Sequence, residues 1–341
     1  RSPLIQEADV INIHNLHWHD NNFSILDLKK ICNLKPVVWK FCDMWPITGH
    51  CIYSFDCDRW KIGCGKCPYL DAYISLKLDT TASLCKIKKD IYSKSKFTVI
   101  TPSEWLRSVA LSSPLLFGHN IICIPNGINN NIYKPRTRTE ARKALGIEIL
   151  SNTLVLLYSA GDWLAKNKGY NSFEKAILKV SQSLTKNLFL LGFGKGDFST
   201  QIKSKFQTLA LGYVDHPNLK SLIYSVADLF IFPTIADNLP NAVLESMACG
   251  TPVVSYDTGG IPDMIKHMET GYIAKHKDVN DLAHGIKTLA ENDELRTKMS
   301  QKCVRAISEN FTSEIQASRY LEIYQEEIES RKKSERLIFH S

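Results

Sequence analysis

One stretch constrains this chain more than any other: TIADNLPNAVLESMACGTPVVSYDTGG, residues 234–260. The apolar run before it, Ala227-Asp228-Leu229-Phe230-Ile231-Phe232, reads as a buried strand, and Thr251-Pro252-Val253-Val254-Ser255 reads as the next one. Between them lies room for a loop and one short helix. A strand, a loop and a helix start at the carboxyl edge of a parallel sheet make an anion-binding corner, because the first N–H groups of a helix have no partner within it. Here the corner also carries two carboxylates, Asp237 and Glu245. Phosphate-binding backbone beside hydroxyl-binding acids suits a ligand with both groups, a nucleotide-sugar foremost.

The rest of the chain fits a protein with ordinary cores. Its 341 residues are enough for two domains, and 44% of them are hydrophobic. The net charge of +7 is spread out, without an arginine-rich arm or a recognised nucleic-acid module. That favours weak attraction to anionic ligands or membrane surfaces and argues against a nucleic-acid partner. The longest apolar runs fall far short of a membrane span, and no secretory signal is recognisable. Of the ten cysteines, six are scattered through a domain-sized core pattern, which fits a reduced, cytoplasmic setting.

Strands alternating with helices predict an α/β fold. Strands are expected near residues 8–14, 36–41, 97–100, 122–124, 154–159, 188–191, 229–232 and 253–255, with helices over 173–180 and 281–290. Thr101 or Ser103 is the expected cap of a helix opening at Glu104. Asn126-Gly127 marks a turn, and the stretch after it is poor in core residues. The expected division is therefore 1–124, 125–306, and a closing amphipathic helix with a charged, fraying tail over 307–341. The opening Arg1-Ser2-Pro3 leads directly into a strand, so the first domain is expected to be incomplete at its amino end.

Three groups of residues carry a family resemblance: Ile124-Pro125-Asn126-Gly127-Ile128, Lys168-Gly169, and the block from Pro233 to Gly260. With them the chain resembles the retaining glycosyltransferases of family 4, from near Asp9 to about Tyr324. The signature Asp43-Met44-Trp45-Pro46-Ile47-Thr48-Gly49-His50-Cys51 through Gly63-Cys64-Gly65-Lys66-Cys67-Pro68 is similar to a subgroup that builds bacterial surface polysaccharides. The resemblance implies a GT-B fold, two facing Rossmann-like domains with the donor cleft between them. It also implies sugar transfer, with retained anomeric configuration, from a nucleoside-diphosphate-sugar to a glycan or lipid-linked glycan. The expected setting is the cytoplasm, including the cytoplasmic face of the inner membrane.

Residue by residue, the resemblance assigns Glu245 to the ribose hydroxyls, which a carboxylate can grip with two acceptor oxygens. Asp237 matches the acid that faces the transferred sugar, although the family more often has glutamate followed by glycine, and here Asn238 follows. Leu239, Asn241 and Ala242 belong to the helix opening, with Pro240 expected at an early helical position. Lys168 would neutralise the leaving diphosphate. Its usual arginine companion is absent, because Asp162 follows Gly161, and Lys166 is the substitute in reach by sequence. Gly192, Gly194 and Val214, in Gly192-Phe193-Gly194-Lys195-Gly196 and Gly212-Tyr213-Val214, are expected to wall the nucleotide. For Lys166, Lys168 and the glycines, a wetted loop charge or a plain structural turn is the alternative. Cys42 stands where the family carries a histidine near the donor sugar; His50 is the candidate replacement, and His14, His17 and His19 cluster near a strand end.

Cys51, Cys57, Cys64 and Cys67 form a separate signal. The Cys64-x2-Cys67 spacing suits zinc, with Cys51 and Cys57 completing a tetrahedron. Two disulfides, or a loop of unmodified thiols, are the alternatives. The zinc would be structural. No redox cofactor and no obligatory Mg²⁺ is expected, since lysines and N–H groups can supply the positive charge. The competing functions are a noncatalytic nucleotide-sugar-binding protein and a glycoside phosphorylase or hydrolase.

Overall fold

The computed structural model describes residues 3–17, 24–72, 74–150 and 152–339. They divide into two compact units, Arg1–Pro125 with Gln316–Ser341, and Asn126–Ile315. The first of these divisions falls between Pro125 and Asn126. The end of the chain is arranged differently from the expectation: the helix Asp293–Asn310 stays with the second unit, while most of the helix Ser313–Phe339 joins the first. Tyr320 of that helix is buried with Val38, Ile100 and Ile124, and Ile323 and Tyr324 pack beside them. Asn12 Nδ2 donates to the Tyr324 hydroxyl at 2.5 Å. Arg331 donates to the carbonyl oxygens of Cys32 and Asn33 at 3.3 and 2.8 Å. Residues 329–336 were expected to fray; they continue the helix, where an Arg331–Glu335 pair at 2.6 Å spans one turn.

The first unit contains four parallel strands in sequential order: β1 (Ile11–Ile13), β2 (Val37–Lys40), β3 (Thr98–Thr101) and β4 (Asn120–Cys123). Trp39 anchors its core, edge-on to both Phe41 and Tyr92. Ser103 is the cap of the helix Glu104–Leu111, its Oγ accepting from Leu106 N at 3.0 Å. Among the described residues between 48 and 80 the only helical turn is the 3-10 turn Arg59–Ile62, and no strand forms. Lys88, in the helix Thr81–Tyr92, ties the start of this excursion down. Its ammonium donates to Trp45 O at 2.5 Å and Thr48 O at 2.9 Å, and lies 3.7 Å from the Trp45 ring centroid. Burial pushes the Lys88 pKa down to about 7.

The second unit has six parallel strands: β5 (Thr153–Asp162), β6 (Asn187–Lys195), β7 (Gln207–Ala210), β8 (Leu229–Phe232), β9 (Val253–Tyr256) and β10 (Gly271–Ala274). Their order across the sheet is β10-β9-β8-β5-β6-β7. The chain starts in the middle, winds outward to one edge, then returns to the centre and winds to the other. That is the doubly wound Rossmann order, and its switch point lies between β5 and β8. Apolar clusters cover both faces of the sheet. β7 and β10 escaped the sequence reading; β7 in particular is four residues long and only partly buried.

Candidate functional site

In an open parallel sheet, ligands bind beyond the carboxyl ends of the strands at the switch point. Two loops meet there in the second unit, 163–169 after β5 and 233–240 after β8. Asn167 laces them together. Its carbonyl oxygen accepts from Ile235 N at 2.8 Å and Thr234 Oγ1 at 2.9 Å, and its Nδ2 donates to Ala236 O at 3.0 Å. Gly169 has φ +70°, and a methyl group there would overlap the carbonyl oxygen of Pro233. The glycine therefore permits both the turn and the close approach of the two loops. Trp163 anchors the first loop from below. Its indole donates to Phe193 O at 3.0 Å and its ring packs against Tyr158, Tyr170 and Phe198.

This lacing brings Lys168 Nζ to 2.7 Å from Asp237 Oδ2. The lysine side chain is 24% exposed and the aspartate 9%, so the pair sits at a partly dry surface. Asp237 Oδ1 also accepts from Asn238 N at 3.0 Å. Gly259 backs the acid loop: its neighbour Gly260 donates to Asn238 O at 2.8 Å, and a side chain on Gly259 would overlap the Asp237 carbonyl oxygen.

The helix Asn241–Ala248 begins immediately beyond. Pro240, expected in its first turn, is the N-cap instead, with φ −68° and ψ 120°. The N–H groups of Asn241 and Ala242 belong to the first turn and have no helical acceptor. Asn126 steadies this end, its Nδ2 donating to Leu239 O at 3.3 Å and Asn241 Oδ1 at 2.9 Å. Leu239 and Asn238 are buried, Leu239 in the apolar core.

Glu245 lies one turn further along, half-buried. Tyr224 donates its hydroxyl to Glu245 Oε2 at 3.0 Å, and Tyr133 also hydrogen-bonds this carboxylate. Burial first, and then the charge of Glu245, hold both tyrosines protonated far above the ordinary phenol range. The two phenols fix the orientation of the carboxylate from the protein side.

The other sequence candidates are placed differently. A side chain on Gly192 would run into Trp163, and one on Gly194 into the Ala160 carbonyl oxygen, so both glycines have a packing reason of their own. Val214 is buried among core residues, next to an exposed Tyr213. Lys166 is exposed on the first loop. Asp162 is also exposed, its Oδ1 accepting from Leu164 N at 2.9 Å. Asn167, Tyr133 and Tyr224 were not singled out in the sequence; polar loop residues and buried tyrosines carry no spacing signal.

In the first unit, the imidazole beside Asp43 is that of His17, 3.5 Å away. His50, the expected stand-in for the missing family histidine, is instead occupied elsewhere: its Nδ1 meets Ile74 O at 2.8 Å and its Nε2 meets Cys67 Sγ at 3.4 Å. Burial raises the Asp43 carboxyl to about 6. His19 lies outside the described residues. Cys51, Cys57, Cys64 and Cys67 all line one cavity of about 20 Å³. All four are free thiols rather than disulfides. Gly49 N and Tyr69 N donate to the Cys64 and Cys67 sulfurs at 3.2 and 3.4 Å. Among the described residues, no three His, Cys, Asp or Glu side chains are grouped closely enough to hold a metal ion.

Two parallel-sheet α/β units with this switch-point site define a GT-B chain. The fold agrees with that of HepE from Anabaena, solved in complex with UDP, at a TM-score of 0.67 and 16% identity, covering 95% of this chain and 80% of that one. Residues 150–304 match the family model described as glycosyl transferases group 1. The chain is 28% identical over 211 residues to N-acetyl-alpha-D-glucosaminyl L-malate synthase of Bacillus anthracis, covering 60% of this chain and 53% of that protein. It is 25% identical over 250 residues to the N,N'-diacetylbacillosaminyl-diphospho-undecaprenol alpha-1,3-N-acetylgalactosaminyltransferase of Campylobacter jejuni, covering 71% and 62%. The chain thus spans between half and two thirds of the length of these relatives.

Proposed function

We propose that this chain transfers a sugar, with retention, from a nucleoside-diphosphate-sugar to a hydroxyl of a glycan or lipid-linked glycan in surface polysaccharide synthesis. The observation that carries the reading is the meeting of Lys168 and Asp237 across the β5/β8 switch point, beside the start of the helix Asn241–Ala248. A diphosphate at that helix start would take its charge compensation from Lys168 and the N–H groups of Asn241 and Ala242. Asp237 would then orient the sugar hydroxyls, and Glu245, aimed by its two tyrosines, would accept from the ribose. The undecaprenol-linked chemistry in the name of the Campylobacter relative supports a lipid-linked acceptor. The expected association with the cytoplasmic face of the inner membrane is part of the same proposal.

A second reading, a nucleotide-sugar-binding protein without transfer, is favoured by one feature. Asp162 stands where the resemblance calls for an arginine, and a carboxylate there adds no compensation for the leaving diphosphate. Incubation with a panel of nucleotide-sugars and isolated glycan acceptors, with product analysis, separates the two. Glycosylated product supports transfer; saturable donor binding without product supports the second reading.

For the cysteine quartet we propose the structural zinc that its spacing suits. The support is the Cys64-x2-Cys67 spacing and a long excursion with little regular structure; the thiols as placed are not grouped closely enough to hold the ion, so binding would have to draw them together. Metal analysis of protein purified under reducing conditions should find about one zinc per chain for one tetrahedral site. Metal-free, fully reduced protein with an unchanged unfolding midpoint would remove the zinc from the account.

A further inference from the structure

β6 ends at the carboxyl edge of the second sheet with Phe193-Gly194-Lys195. Side chains alternate between the two faces of a strand. Leu191 and Phe193 lie in the apolar cluster that holds Tyr224, Val243 and Leu244, so they face the helix Asn241–Ala248. The glycines between them face the other way. A side chain on Gly192 or Gly196 would run into Trp163, and one on Gly194 into Trp163 and the Ala160 carbonyl oxygen, all in the opposite cluster. Lys195, flanked by Gly194 and Gly196, therefore points to the same face as Phe193. It is the next residue on that face and is exposed. The Phe193 ring is edge-on to Tyr224, with centroids 5.7 Å apart, and Tyr224 is the phenol that holds Glu245. Lys195 thus overhangs the sheet on the side where Glu245 stands.

A bulge in β5 brings Asp162 to the same place. Ser159 pairs with Phe193 and Asp162 pairs with Lys195, so β5 advances three residues while β6 advances two. Without the extra residue Asp162 would face the Trp163 side; with it, Asp162 stands beside Lys195, about 4.8 Å away from strand to strand. Asp162 Oδ1 is engaged by Leu164 N at 2.9 Å. Among the described residues the Lys195 ammonium enters no ion pair or hydrogen bond. The next acid along the chain, Asp197, is paired with Lys203.

A diphosphate carries more charge than one lysine offsets, and Lys168 is itself engaged by Asp237. On the donor reading proposed above, we infer that Lys195 is the second cation of the nucleotide site and meets the phosphate nearer the ribose, while Lys168 meets the phosphate nearer the sugar. The division follows from the sheet. Lys195 lies beyond Phe193, towards Tyr224 and the carboxylate assigned to the ribose, whereas Lys168 lies across β5, against the loop that leaves β8. An ammonium on a long flexible stem suits a phosphate, which needs a point charge and no fixed fork. The carboxylate of Asp162, which offers a phosphate nothing, then has a cation on the adjoining strand to offset it.

The test is calorimetric titration of the full chain with UDP, GDP, ADP, CDP and dTDP, and then with the monophosphate of each base that binds. Lys195→Gln should weaken the diphosphate roughly tenfold, in keeping with loss of one charge-assisted hydrogen bond, and weaken the monophosphate by a similar factor. Lys195→Arg should bind close to wild type. Lys203→Gln, the same change in net charge at an exposed lysine of the same unit, should bind like wild type. Lys168→Ala should lose affinity for the diphosphate and keep most of that for the monophosphate. Lys195 is exposed, so its variants should keep the wild-type unfolding midpoint. Equal affinity of wild type and Lys195→Gln would overturn this inference alone, as would an equal loss in Lys203→Gln, which is the mark of a long-range field without contact. A loss confined to the diphosphate would overturn the assignment to the ribose-side phosphate. No binding of any of these nucleotides to wild type would remove the donor reading and Lys195 with it.

Discussion

Lys168 Nζ lies 2.7 Å from Asp237 Oδ2, joining the loop that leaves β5 to the loop that leaves β8. The two residues are far apart in sequence and meet because the doubly wound order places their strands side by side. In this state each neutralises the other. A bound diphosphate would compete with Asp237 for the ammonium and leave the carboxylate open to sugar hydroxyls. In the proposed function the pair would thus link arrival of the donor to exposure of the acid assigned to orient it.

Lys168→Ala should lower transfer at saturating donor by about 10²–10³-fold, the range for loss of one preorganised charge-stabilising group. The loss should shrink with a donor whose leaving group develops less negative charge. Single-turnover rates with both donors check this. Equal loss with both would assign Lys168 to loop structure alone.

Glu245→Gln keeps the shape of the side chain and removes its charge. Weakening of charge-assisted bonds worth roughly 1.5–3 kcal/mol should raise the donor Kd about ten- to a hundredfold while acceptor affinity stays unchanged. Tyr224→Phe, which removes the 3.0 Å bond to Oε2, should weaken donor binding in the same direction and by less. Calorimetric titration reads both. Unchanged donor affinity in folded Glu245→Gln would remove the ribose role.

Gly169→Ala should be severe although the change is one methyl group. The backbone is in the left-handed region and the new carbon would overlap the Pro233 carbonyl oxygen. A strained φ costs on the order of 1–3 kcal/mol, and separating the two loops costs the Asn167 hydrogen bonds as well. The expected result is a lower unfolding midpoint together with loss of donor binding; a variant that binds donor normally contradicts the close packing of the loops.

Lys88 gives the first unit a pH signature. Burial lowers its pKa to about 7 from an ordinary 10.5. Between those values the unfolded chain binds more protons than the folded one, so this residue makes stability rise with pH across that window. Lys88→Met removes the rise. It also leaves the Trp45 and Thr48 carbonyl oxygens without their donor, at about 1–3 kcal/mol each. Denaturant unfolding of both proteins at neutral and alkaline pH measures the difference. Parallel pH dependences would place the lysine in a solvated, ordinarily charged state.

Much of the second unit was legible because its strands are apolar runs flanked by turns, and because the Asp237-to-Glu245 block combines a carboxylate pair with a helix start. What stayed hidden was set by contacts distant in sequence. Asn167 looks like any loop asparagine until the β8 loop lies against it. Tyr224 and Tyr133 look like core aromatics until Glu245 faces them. Gly192 and Gly194 looked like ligand-approach glycines, yet Trp163 and Ala160 already account for their lack of side chains. In the first unit, His50 seemed free to replace the family histidine, but the fold turns it towards Ile74 and Cys67, and His17 takes the place beside Asp43. The continuation of the last helix through 329–336 rests on Arg331 reaching Cys32 and Asn33, residues close to the other end of the chain.

In the proposed function the β5/β8 switch point holds a nucleoside diphosphate through Lys168 and Glu245. This is tested most directly by titrating wild type, Lys168→Ala and Glu245→Gln with a panel of nucleoside diphosphates while following heat of binding. At least one nucleotide should bind wild type saturably and bind both variants more weakly. No binding from the whole panel, or a nucleotide that binds all three proteins equally, would contradict it.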